Sequence, residues 1–283
     1  MSVVRAQDNH RSVFDVSKVD ALPPLPETGM KIIQSFGDEF LDGNIVADIV
    51  AGDPAITARL IGIANSSYFN LQEPVTDMRQ VVNRVLGVDT VRTMAFALAV
   101  KRSFDTSQCP NFDAGVFWQQ AMSLADACQK MAKQSTLSGE AQILAHTLGL
   151  CSGLGSLALA ALEPLRLNTV LDEHDAHSQD IDAAVSAEFG VSAAAITASL
   201  AHSWSMPEIL VAAYQALAMG DPAAAPMSAL ILCARSATDE EHAREIGPEW
   251  LDLLGLSAEQ VADIGTGCIT AKDASIAGSL LGG

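Results

Sequence analysis

Aromatic residues make up only 5% of this 283-residue chain, although 49% of its residues are apolar. A core so poor in rings must be filled by Ala, Leu, Ile and Val, which suits helices packed closely together. No run of alternating β-branched residues reads as a strand. The expected fold class is all-α.

Positive charge is also scarce. The formal charge is −18, and it is unevenly spread. Residues 1–104 hold 10 Lys/Arg against 12 Asp/Glu, a net of −2. Residues 105–283 hold 6 against 22, a net of −16. That acidic half repels a phosphate backbone and argues against nucleic-acid binding. It favours basic partners instead.

The five cysteines, Cys109, Cys128, Cys151, Cys233 and Cys268, are odd in number and scattered. They form neither a disulfide framework nor a CxxC metal motif, and read as reduced, buried thiols. Met1–His10 has no apolar h-region, so no signal peptide is expected and the reading points to the cytoplasm. Ala141 to Leu162 runs 22 residues without a formal charge. Its most apolar part is short and broken by Gly149, Gly153 and Gly155, which predicts a buried central helix pair rather than a membrane span.

Catalytic motifs are missing as well. There is no Walker loop, GxGxxG, GxSxG or HExxH. Gly153-Leu154-Gly155-Ser156 lacks the lysine of a phosphate cradle. Only six histidines occur. His174 and His177, in the stretch Asp172–His177, could share a helix face and bind a divalent ion; a solvated linker over Asn168–Asp182 has the same composition. His146 and His202 sit in apolar helical surroundings and read as satisfied core histidines.

What the chain does contain is helix punctuation. After a polar segment, residues 1–20, Leu22-Pro23-Pro24-Leu25-Pro26 forces an extended entry. Such a segment either lies against its own domain or docks as a PxxP ligand. Asn44 is a candidate cap for a helix through Val50 that stops near Gly52. Asp53-Pro54 places an N-cap before a proline at N1, and the helix it opens ends around Asn65-Ser66. Thr76 is a candidate cap for the next helix, Gly87 its end, and Asp89 a restart. The helix pair around Gly87, with Arg79, Arg84, Arg92, Lys101 and Arg102, could suggest a helix-turn-helix, but no dense basic cluster accompanies it. Further helices are expected over 114–133, 181–189, 192–203, 207–219 and 223–237. Ser257 and Gln260 form a capping box for another.

Several phrases together resemble one family: Leu22–Pro26, then Asp53-Pro54-Ala55-Ile56-Thr57-Ala58-Arg59-Leu60, then Ala64-Asn65-Ser66, then Val85-Leu86-Gly87. They resemble the HDOD domain, the bacterial HD-related output domain, a relative of the HD and HD-GYP metal-dependent phosphohydrolases. Phe117-Trp118, Gly149-Leu150 with Gly155, and Trp204 with Pro207 agree with it. The resemblance covers about residues 20–220. It implies an N-terminal helical block (residues 21–105) packed on an HD-like helical bundle (112–220), with a C-terminal helical extension (221–283).

The resemblance also implies where HD-type metal ligands would fall, and the ligands are replaced. A His position after Phe117-Trp118 reads Gln119-Gln120. The His-Asp dyad position reads Ser152-Gly153. A later His position reads Ala193, and the paired histidines beyond Pro207 read Tyr214-Gln215. Ser and Gln are poor ligands for a catalytic divalent metal, and Gly and Ala are none. No catalytic residue, metal or cofactor is therefore expected. The family implies a signalling module that works by protein contact, with Leu22, Pro23, Pro24, Pro26, Asp53, Pro54, Arg59, Asn65 and Ser66 as candidate contact or framework positions. The alternative is a metal-dependent phosphohydrolase acting on a nucleotide or cyclic dinucleotide.

Overall fold

The structure, a computed structural model, describes residues 13–22, 24–36, 42–173, 181–238 and 246–273, apart from the side chains at 20, 21, 222 and 269–273. Pro23 and the pair His174 and His177 lie outside the described residues. Among the described residues the chain is helical, with no strand.

A 3₁₀ turn, Val16–Ala21, leads into the proline entry. The first block is α1 (Glu27–Ser35), α2 (Gly43–Ala51), α3 (Pro54–Ala64), α4 (Met78–Gln80) and α5 (Val88–Ser103). α4 widens directly into a π-helical stretch, Val81–Leu86, which ends when Gly87 adopts φ +80°. Two caps differ from expectation. Asp42 caps α2, and the Asn44 N–H donates to it. Asp77 caps α4 by accepting from Gln80 N, while the Gln80 side chain reaches back to Thr76 N. In both cases a carboxylate, the stronger acceptor, stands one or two residues from the expected cap.

The second block holds α6 (Ala114–Gln134), α7 (Gly139–Cys151), α8 (Leu154–Leu162), α9 (Pro164–Glu173), α10 (Ile181–Phe189), α11 (Ala193–Ser203) and α12 (Glu208–Met219). α13 (Pro226–Thr238), α14 (Pro248–Leu254) and α15 (Ala258–Asp273) follow. α13 and α15 lie along α6 and each other, so the C-terminal helices share the bundle's core. Ser257 and Gln260 exchange the two bonds of a capping box. Asn168–Glu173 belongs to α9 instead of a linker, because Leu167 and Val170 are buried and anchor it.

The uncharged stretch becomes α7 and α8, broken at Ser152-Gly153. Gly139–Leu162 is long and apolar enough to cross a membrane by length and composition, and 78% of its most apolar window is buried inside the bundle. Gly149 permits this. A Cβ there would lie 2.7 Å from the Leu124 carbonyl oxygen and from Ala125 Cα, so only glycine lets α7 press against the α6 backbone. All five cysteines are buried free thiols.

Candidate functional site

Two groups of residues are singled out by sequence, and the structure treats them differently. The first surrounds α3. Asp53 accepts from Ala55 N at 3.0 Å and Ile56 N at 3.2 Å, and its other oxygen takes Arg102 at 2.7 Å from α5. Pro54 fills N1 and is exposed. At the far end, the Asn65 amide donates to Val75 O and accepts from Val75 N, both at 2.8 Å. One side chain thus imitates a strand pair and closes the loop 66–74. Ser66 tucks its hydroxyl inside without a partner. Arg59 is exposed on α3. These residues are framework first: Asp53 and Asn65 fix both ends of the helix and the loop beyond it. Replacing Asp53 with alanine removes a cap and a cross-helix ion pair, and should cost about 1–2 kcal/mol. A urea-unfolding midpoint measures it.

The loop closed by Asn65 carries a residue that sequence reading passed over. Tyr68 is 58% exposed and packs edge-on against Phe69. No periodicity marks it, because it lies outside every helix. The proline entry behaves as a lining of its own domain: Leu22 is half-buried, Pro24 exposed, Leu25 buried, and Pro26 half-buried while accepting from Met30 N.

The second group is the set of positions where the family resemblance would place HD-type metal ligands. Ser152 is buried and its hydroxyl donates to Gly149 O within its own turn. Gly153 lies under the Phe117 ring, which a Cβ would meet at 2.8 Å. Gly155 N donates to Thr197 Oγ1 at 2.9 Å, and Thr197 lies within donating distance of Ala193 O (3.0 Å) and Ser152 O (3.3 Å). A Cβ on Gly155 would stand 1.9 Å from the Ala193 carbonyl oxygen, so α8 and α11 meet backbone to backbone. Tyr214 is fully buried and donates to Leu148 O at 2.9 Å. Burial pushes its phenol well above the ordinary range. Gln120 and Gln215 are exposed on α6 and α12.

These positions do not fit a catalytic cation. The buried members are satisfied by backbone, and Cys151 beside them stays a thiol because burial drives its pKa up. Among the described residues, no three His, Cys, Asp or Glu side chains come together to hold a metal. Two surface grooves are open to solvent. One, of about 450 Å³, runs between α2 and the π-helical stretch beside Asp48, Arg79 and Arg84. Another, of about 400 Å³, lies between α11 and α12 and includes Gln215.

His146 and His202 depart from expectation. His202 is exposed on the α11–α12 groove, because it falls on the same outer face of α11 as Ala195 and Ser199. His146 is half-buried, with its Nδ1 sealed inside, and only half satisfied: Nε2 lies 3.4 Å from Thr93 Oγ1 and Nδ1 has no partner.

Among the described residues, helices alone in two packed blocks define a protein of HD-like helical fold, its candidate ligand positions closed by packing. The HDOD domain profile matches residues 22–218, and the chain belongs to the HDOD domain family. Among solved structures it resembles a "Putative signal transduction protein" from Marinobacter aquaeolei VT8 (TM-score 0.78, 24% identity, 95% of this chain and 62% of that one). It also resembles a "Putative phosphohydrolase" from Shewanella amazonensis SB2B (TM-score 0.57, 23% identity, 94% and 95% covered). An "Uncharacterized protein" of Treponema pallidum (strain Nichols) is 21% identical over 213 residues. That match takes in 74% of this chain and 40% of the relative, so the chain spans less than half of the Treponema protein and 62% of the Marinobacter one.

Proposed function

We propose that the protein is a non-catalytic regulatory module of bacterial signal transduction, acting by protein–protein contact on a phosphohydrolase-type scaffold. The observation that carries this reading is the state of the ligand positions. Ser152, Gly153, Ala193 and Tyr214 are spent on helix packing and backbone hydrogen bonds. Water activation on a phosphate ester needs imidazole and carboxylate donors around an open coordination site, and these residues supply neither. Membership of the HDOD family and the name of the Marinobacter relative support a signalling role.

The name of the Shewanella relative favours the second reading, a metal-dependent phosphohydrolase acting on a nucleotide or cyclic dinucleotide. The two are separated by metal content of the purified protein and by phosphodiesterase turnover with added Mn²⁺ or Mg²⁺. The expected result is neither stoichiometric metal nor turnover above the blank. Stoichiometric metal together with turnover overturns the proposal.

For the partner surface we look to the first block, where Pro24 is exposed on the proline entry, and Pro54, Arg59 and Tyr68 on the helix and loop fixed by Asp53 and Asn65. A partner recovered by affinity capture should be lost when Tyr68 is replaced by alanine while the unfolding midpoint stays unchanged. Retention of the partner by that variant removes the loop from the interface.

A further inference from the structure

The two blocks share one continuous apolar core in which α5 is buried on most sides, and the 3₁₀ turn Val16–Ala21 packs on α11. Helices α1–α5 pack among themselves, and the helices from α6 onward do the same. Among the described residues the blocks meet largely through side chains. Phe104 meets Trp204 edge-on with ring centroids 6.2 Å apart. Another meeting point is a stack drawn from three helices. Phe36, at the end of α1, lies parallel to His146 of α7 with centroids 5.4 Å apart and planes 21° apart. The Arg92 guanidinium of α5 sits 5.1 Å from the centre of the same Phe36 ring, and its Nη1 donates to Ser35 O at 2.8 Å.

The hydrogen bonds fix the state of the imidazole. Thr93 Oγ1 donates to Asp89 O at 2.8 Å, so it meets His146 Nε2 with a lone pair. Nε2 therefore carries the proton, and Nδ1 is a bare lone pair, buried and without a donor. Arg92 Nε and Thr147 Oγ1, on the same two helices, are also buried without partners. Natural interiors leave few such atoms, and each calls for a reason.

We propose that this stack is a pH-operated latch: protonating His146 frees the α1–α5 face from α7 and lets the two blocks part. A proton on Nδ1 would create a buried cation whose new N–H meets no acceptor. It would also place a second cation on the ring already faced by Arg92. Desolvation holds the imidazole neutral and pushes its pKa down to about 4 from 6.5; Arg92 acts in the same direction, while Asp89 of α5 and Asp126 of α6 oppose it. From α1 the ring meets Phe36, with the Ser35 carbonyl turned to Arg92.

The direction follows from linkage. An opened junction hydrates His146 and restores an ordinary pKa near 6.5, so the open state binds the proton that the closed state refuses. The closed form is fully stable above about pH 6.5 and loses ground as pH falls toward 4. The opening equilibrium should rise on the order of 100-fold between about pH 7.5 and pH 4.5. The latch does not depend on whether the chain is catalytic.

Hydrogen exchange followed by mass spectrometry tests it on the full chain, with rates corrected for intrinsic pH dependence. On acidification, peptides from α1 and from α7 around His146 should lose protection together while α6 and α13 keep theirs. His146→Gln, which cannot be charged, should abolish the differential response, although other carboxylates still titrate. An equal response in that variant, or acid exchange spread evenly over both blocks, overturns the proposal. If His146→Gln does not fold, ¹⁵N shifts of His146 in the unaltered protein decide. A midpoint near 4 with the Nε2–H tautomer above it supports the latch, and an ordinary midpoint near 6.5 refutes it.

Discussion

Gly155→Ala will cost roughly 3 kcal/mol or more of folding stability, or prevent folding outright. The new methyl would lie 1.9 Å from the Ala193 carbonyl oxygen and 2.8 Å from its carbon. Neither atom is the far end of a flexible side chain. To make room, α8 and α11 must separate, and with them go the Gly155–Thr197 bond and the close packing of two apolar helices. Glycine ordinarily weakens a helix by about 0.5–1 kcal/mol relative to alanine, so the exchange gains that much and loses several times more. Gly62 of α3 is the control. Nothing lies within 4 Å of its missing Cβ, and Gly62→Ala should raise the urea midpoint. A wild-type midpoint for Gly155→Ala would mean that α8 and α11 do not meet as described.

Writing the dyad back into the sequence will not bring back a metal site. The double change Ser152→His with Gly153→Asp should destabilise the protein by about 2–4 kcal/mol and leave it without bound divalent metal. Ser152 is 5% exposed and already bonded within its turn, so an imidazole there overpacks a closed core. Gly153 precedes α8, and an aspartate would gain a few tenths of a kcal/mol by capping it. Against that, it must displace the Phe117 ring, which Phe112 and Trp118 hold in an aromatic row. Even a folded double variant has two potential ligands where a structural or catalytic cation takes three or four from the protein. Elemental analysis after dialysis measures the metal, and the unfolding midpoint measures the cost. A stoichiometric, tightly held cation in this variant would show that the remaining positions can still coordinate.

How much of this was readable in advance depends on the range of the signal. Asp53-Pro54 and the Ser257–Gln260 box act within four residues, and both were legible as written. Asp42 and Asp77 were missed in favour of Asn44 and Thr76 because adjacent polar residues compete for one cap, and only the backbone turn decides among them. The positions to compare with HD-type ligands came from family resemblance. What packs around them was not legible: Gly155 meets Ala193, and Tyr214 finds the Leu148 carbonyl, across 38 and 66 residues. His146 shows the same limit. Its apolar neighbours in sequence announce a core residue, whereas it is half-buried and its true neighbours are Phe36, Arg92 and Thr93, brought from two other helices. His202 has a similar local sequence and ends at the surface, since it falls on the outer face of α11 with Ser199 and Ala195.

The Phe104–Trp204 contact has an optical consequence. The chain holds three tryptophans. Trp118 is sealed inside the second block and Trp250 is half-buried near the C-terminal helices. Trp204 alone of the three stacks against a ring from the first block. Its indole therefore reports intrinsically on whether the blocks are together: closed, it emits from an apolar wall, and parted, it emits red-shifted into water. The protein carries its own dye at its seam, and Phe104→Leu would mark which part of the emission belongs to it.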